Sequence, residues 1–148
     1  MPSYFMKVFL ALGLGLFAAP ALSDQTSPVG KWKTFHEKTG KARAVVEIFE
    51  REGKLEGKIV ELIDPPVPDP KCMACPGEDK NQPVIGLRIM SGMEKKGGEW
   101  RGGKILDPED GKSYKCLMKL KESGEKLEVR GFIGVALMGR SQVWQRVH

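Results

Sequence analysis

Short runs of alternating apolar and polar residues, each stopped by a glycine-containing turn, fill the chain from about residue 30 onward. Ser113–Lys121 is the cleanest of them. Tyr114, Cys116, Met118 and Leu120 hold one parity, and Lys115, Lys119 and Lys121 hold the other. A period of two puts the first set on one face of a strand and the second on the opposite face. Comparable runs are Trp32–His36, Ala42–Glu50, Leu55–Ile63, Val84–Met90, Trp100–Leu106, Leu127–Phe132 and Ser141–Val147. Turns are expected at 37–40, 51–54, 91–98, 107–112 and 122–126, where Gly, Asp, Pro and Ser collect. Gly102-Gly103 inside one run predicts a bulge or a sharp bend. No stretch has the apolar stripe of an ordinary amphipathic helix, and no internal repeat is present. The expectation is an all-β chain of about eight antiparallel strands connected as a meander. A sheet of that size removes its edges by closing, so an up-and-down β-barrel is predicted.

Two segments break the rhythm. Residues 64–83 form one long Pro-rich loop carrying two of the three cysteines, and loops of this length are usually functional or tied down. Residues 132–138 are apolar and interrupted by glycine. Burial as a core strand is expected there; exposed, the segment would be a patch for a partner, a ligand or a membrane surface.

The N-terminus reads as a secretory leader. Lys7 precedes the apolar run Val8–Ala19, and small residues lead to a polar start. The run has 12 residues, well short of the about 20 that a membrane span requires. Cleavage is expected after Ala21 or Ser23, so that 1–23 is a signal peptide and 24–148 a single domain, periplasmic or secreted. No cysteine stands at the cleavage site to carry a lipid anchor, and no transmembrane segment is expected. Loss of Lys7 lowers the formal charge from +5 to +4. The basic residues are spread along the strands, so charge alone leads to no expectation of a nucleic-acid or anionic-lipid partner.

Cys72-Met-Ala-Cys75 is the sharpest local motif. An oxidising compartment permits a disulfide between these residues. A redox-active pair and a metal site are the alternatives. Exchange chemistry wants a cysteine at a helix N-terminus, and this one sits in a Pro-rich loop. Zinc would need two further ligands from Cys116, His36 and His148, none of which has knuckle spacing. Cys116 is expected buried and free, with pairing to Cys72 or Cys75 left open. A Ser-His-Asp or Cys-His arrangement would have to use His36, which ends a strand beside a charged turn. Asp107, Glu109 and Asp110 cluster before Gly111, where carboxylates more often shape a turn than do chemistry. No phosphate loop or dinucleotide fingerprint is present, and no cofactor is expected.

Gly30-x-Trp32 at the head of the first strand resembles the opening of a lipocalin or, more broadly, a calycin. That resemblance implies a Trp packed across the base of the barrel under an Arg from near the C-terminus, here Arg140 or Arg146. A longer pattern is more specific. It runs through Leu55-x-Gly57-x-Ile59-Val60, Cys72-x-x-Cys75, Pro83-x-x-Gly86, Trp100-x-Gly-Gly103, Asp107-Pro-x-x-Gly111-Lys-x-Tyr114, Val129-Arg-Gly131 and Gly139-Arg-x-x-x-Trp144-x-Arg146. In that order these residues resemble a family of small exported bacterial proteins, domain of unknown function 2147. The resemblance implies compartment and barrel fold and no activity.

Three functions are open on these grounds. The first is a non-enzymatic exported protein holding a small apolar ligand in the barrel, lined by Trp100, Tyr114, Met118 and Phe132. The second is a cell-envelope module docking a protein partner through loop 64–83 or segment 132–138. The third is a thiol-disulfide oxidoreductase using Cys72 and Cys75.

Overall fold

The alternating runs become eight strands: β1 (Gly30–Phe35), β2 (Ala42–Arg51), β3 (Lys54–Leu62), β4 (Arg88–Lys96), β5 (Glu99–Leu106), β6 (Ser113–Lys121), β7 (Lys126–Phe132) and β8 (Arg140–Val147). The computed structural model describes residues 26–148 and Gly15. But for Gly15, the expected leader lies outside the described residues, as do both cleavage sites. Each strand pairs antiparallel with the next, and β8 returns to β1 through Lys31↔Val147, Trp32↔Arg146 and Lys33↔Gln145. The sheet is therefore a closed up-and-down barrel, as the alternation predicts.

Two segments differ from the sequence reading. The fourth strand is Arg88–Lys96, so most of the expected turn at 91–98 is strand, and Gly97-Gly98 alone makes the hairpin. Val84–Leu87 is loop. Gly86 takes a positive φ of 90° there, and instead of a regular ladder Ile59 accepts from Gly86 (Gly86 N to Ile59 O 2.7 Å) and donates to Leu87 (Ile59 N to Leu87 O 3.0 Å). The second difference is 132–138, expected buried: Ile133, Val135, Leu137 and Met138 are exposed there, and Phe132 and Ala136 are half-buried. Gly134, at φ 78°, turns the chain outward after β7, and a single 3-10 turn at Ala136–Met138 leads into β8.

The Gly102-Gly103 pair is the predicted irregularity. The β5–β6 register shifts between Trp100 and Gly103, and a Cβ on Gly103 would overlap the Ser91 carbonyl and the Met93 sulfur. The bulge keeps Trp100 and Ile105 on the inner face on either side of it.

Size along the inner face sets the shape of the interior. Toward the 26–29 end, Trp32, Ile48, Leu55, Met93, Trp100 and Met118 fill the barrel. Toward the other end the inward positions include Thr34, Ala44 and Gly131, and the interior is hollow there. Trp32 seals the filled end. Its indole Nε1 donates to the Pro28 carbonyl at 2.8 Å, and the Arg146 guanidinium lies over its ring, 4.4 Å from the centroid.

Candidate functional site

The hollow end opens between four connections: 36–41, 63–87, 107–112 and 133–139. It is a cavity of about 710 Å³, within the range that holds a small organic molecule. Its wall is apolar at depth, from Val46, Ile59, Ile89, Val129 and Trp144. These positions come from β2, β3, β4, β7 and β8, so the pocket is a property of closure and not of any one hairpin.

The rim is polar and ordered. Trp144 Nε1 donates to Gln142 Oε1 at 3.1 Å, Gln142 Nε2 donates to Glu37 Oε1 at 3.3 Å, and Arg140 faces Glu37 at 3.6 Å. This relay climbs from the wall to the mouth. Arg43 on β2 pairs with Glu109 at 2.9 Å, joining a strand to the β5–β6 turn across two intervening strands. Asp107 and Asp110 shape that turn by accepting the backbone N–H of Glu109 (2.9 Å) and Lys112 (2.8 Å), the structural role expected of them. The Tyr114 hydroxyl donates to Asp110 at 2.7 Å. Partial burial pushes the Asp110 carboxyl upward, but the Tyr114 hydroxyl and the Lys112 backbone and charge outweigh it, leaving the pKa below the usual value. The same hydrogen bond to Asp110, with desolvation and the nearby carboxylate charges, raises the Tyr114 phenol.

The long loop is pinned beside this mouth. Cys72 and Cys75 are joined, with Cα atoms 5.4 Å apart, and both sulfurs belong to the buried core. Inside the loop, Cys72 N donates to Gln82 O and Asn81 N to Cys72 O. Its tip rests on the β5–β6 turn: the Cys72 sulfur lies 3.4 Å from the Pro108 carbonyl oxygen, and Gly111 passes so close to the Ala74 carbonyl that no Cβ fits. Exchange chemistry needs an exposed, activated thiolate. Cys72 is 0% and Cys75 2% exposed, and the first helical turn after them starts only at Gly77, so the pair is built as a staple.

Of the four side chains expected to line a ligand site, Tyr114 and Phe132 stand in the cavity wall. Trp100 and Met118 lie outside it, packed in the filled half. Of the two arginines, Arg146 covers Trp32, whereas Arg140 is at the opposite end in the rim. His36 lines the mouth and His148 sits by Glu125 at the closed end, so the two are not brought together. Among the described residues no three metal-ligating side chains converge. Cys116 is buried and free. Sequence reading missed Glu37, Arg43, Gln142 and Trp144 as site residues. The available signal was parity: once the meander closes, Gln142 and Trp144 share the inward face of β8 with Arg146.

Residues 30–146 match the protein family described as uncharacterized protein conserved in bacteria (DUF2147). The chain belongs to this family. Among curated proteins none matches it. Among solved structures, it is similar to protein HP1028 from the human pathogen Helicobacter pylori, described as belonging to the lipocalin family. The two share 24% identity over 81% of this chain and 82% of that one, with a TM-score of 0.71. At that identity the likeness concerns the fold: a DUF2147 chain here has a lipocalin-like closed barrel, with the Gly30-x-Trp32 and Arg146 arrangement in place.

Proposed function

We propose that this DUF2147 protein is an exported, non-enzymatic binding protein that takes a small, mainly apolar molecule into the open half of its barrel. The observation that carries the reading is the division of the interior. One half is packed solid, and the other is hollow, apolar at depth and polar at the rim. Such a site recognises a ligand with an apolar body and a polar end left near the mouth. The leader-like N-terminus supports a periplasmic or secreted location, where such molecules are handled outside the cytoplasm.

The test is native mass spectrometry of the protein purified from the periplasm of its own host. A reproducible bound mass, extractable into organic solvent and absent after unfolding, is the expected result. Repeated recovery of ligand-free protein, together with failure to bind the neutral probe N-phenyl-1-naphthylamine, overturns the reading.

A further inference from the structure

Large apolar side chains exposed on this barrel are not spread evenly. Of the ten such residues among those described, three lie in loop 63–87 and four in 133–139, all at the open end. The second group is the denser: Ile133, Val135, Leu137 and Met138 are 71%, 64%, 87% and 77% exposed within six residues. Their exposure is held by the fold. Arg130 on β7 donates through Nε to the Ala136 carbonyl at 2.5 Å and through Nη2 to the Leu137 carbonyl at 3.2 Å, and Lys115 Nζ donates to the Gly134 carbonyl at 3.4 Å. The loop is thus fastened by its backbone, with its apolar side chains outward. Ile133 and Met138 also line the cavity mouth, so the exposed patch runs into the site.

Charge beside the patch narrows what covers it. Lys104 and Lys115 face each other directly across β5 and β6, both exposed, and Lys115 is in turn the register partner of Phe132. Like charges in that relation repel, and among the described residues neither lysine has a carboxylate partner. The neighbouring acids are engaged elsewhere: Glu109 with Arg43, Glu37 with Arg140 and Gln142, Asp107 and Asp110 with their own turn and Tyr114. An apolar protrusion flanked by uncompensated lysines fits an interface of apolar chains topped by anionic headgroups. We propose that segment 133–138 docks the open end of the barrel onto an anionic lipid bilayer, with Leu137 and Met138 entering the interface and Lys104 and Lys115 contacting headgroups. No part of this requires a span; it is a peripheral contact that sets the cavity mouth against the membrane.

Flotation of the purified protein with phosphatidylcholine vesicles, with and without phosphatidylglycerol at about 25 mol %, tests it. Wild type is expected on the anionic vesicles, with binding weakened by added salt. Val135→Asp with Leu137→Asp, both outside the cavity lining, and separately Lys104→Glu with Lys115→Glu, are each expected to weaken partitioning by at least about tenfold. All four side chains are exposed, so both variants should keep wild-type far-UV circular dichroism and wild-type uptake of N-phenyl-1-naphthylamine. That keeps the outcome separate from the fate of the ligand reading. Wild type that stays off anionic vesicles, or binds them as well after the Val135 and Leu137 changes, overturns the proposal. So does sedimentation velocity showing a wild-type dimer that Leu137→Asp dissociates, which would assign the patch to a second copy of the chain.

Discussion

Trp32 and Arg146 are register partners across the seam that closes the barrel, and the guanidinium of one lies 4.4 Å from the ring centroid of the other. The same guanidinium donates to three backbone carbonyls: Gly124 at 2.7 Å, Ser27 at 2.8 Å and Val29 at 3.1 Å. One side chain thus ties the approach to β1, the β6–β7 turn and β8 over the sealed end. Charge-assisted hydrogen bonds of this kind carry more than neutral ones, and a planar fork serves several acceptors where an ammonium cannot. Arg146→Ala is expected to destabilise by about 2–4 kcal/mol. Arg146→Lys should recover less than half of that, because charge survives but the fork does not. Urea unfolding followed by tryptophan fluorescence reads both; a lysine variant as stable as wild type would show that charge alone matters.

Gly111 makes the contact that seats the disulfide loop. Its φ is +69°, and an added Cβ would overlap the Ala74 carbonyl. Gly53, at φ +77°, has nothing within 4 Å of the same position. Gly53→Ala therefore carries only backbone strain, about 1 kcal/mol. Gly111→Ala adds displacement of the loop and should cost about 2–3 kcal/mol. Chemical denaturation of the two variants side by side separates strain from steric contact, and equal losses would refute the close approach.

The barrel was legible because parity is a local signal: eight alternating runs with glycine turns admit few other folds. The two boundary errors have separate causes. At 84–96 the apolar content of Val84, Ile85 and Leu87 looks like strand, but Gly86 at positive φ breaks the ladder and pairing begins only at Arg88. At 132–138 composition pointed inward while the backbone points outward, because Arg130 makes bonds to carbonyls that no sequence pattern encodes. The cavity was the least legible feature. It depends on Thr34, Ala44 and Gly131 falling at the same end of the barrel, which is fixed by register and stagger among strands far apart in the chain. Trp100 and Met118 were expected beside Tyr114 and Phe132, yet register places them in the filled half.

Ala44 offers a direct handle on that hollow. It is buried, lines the cavity and sits opposite Thr34, whose hydroxyl donates to its carbonyl at 3.4 Å. Ala44→Phe would place an aromatic ring in existing space, so the usual overpacking cost should shrink to about 1 kcal/mol or less. N-phenyl-1-naphthylamine binding, measured by fluorescence, should weaken by at least about tenfold. Unchanged probe affinity would place the bound probe somewhere other than this cavity.

The Cys72–Cys75 staple closes a short loop, and constraint of the unfolded chain gives it about 2 kcal/mol. With both sulfurs buried, a folded protein should resist a dithiol reductant at neutral pH and yield to it only as it unfolds. Alkylation followed by mass measurement, with and without urea, checks this. Cys72→Ser with Cys75→Ser should keep the barrel's circular dichroism while raising amide exchange in 64–83 and in the 107–112 turn it rests on. Rapid reduction of the native protein would show that the pair is accessible after all.

Cys116 makes the stability of the barrel depend on alkaline pH. Its thiol is free and buried between Gly103 and Gly131 on the flanking strands, and burial pushes its pKa from 9.0 up to about 12. Below pH about 9 the thiol is neutral in both folded and unfolded chains, and its contribution is fully present. Between pH about 9 and about 12 the unfolded chain gives up its proton and the folded one does not. The unfolded state then binds fewer protons, so stability falls as pH rises. From pH 8 to pH 10 this one group should remove about 1 kcal/mol. Cys116→Ala removes the titration, so its stability should decline less than wild type's over that interval, whatever small cavity it leaves at neutral pH. Urea midpoints of the two proteins at both pH values isolate the difference. Parallel decline would mean that the thiol is no more buried in the folded protein than in the unfolded one. Reagents that label thiolates should likewise leave native Cys116 unmodified at pH 8 and modify it once urea has opened the barrel.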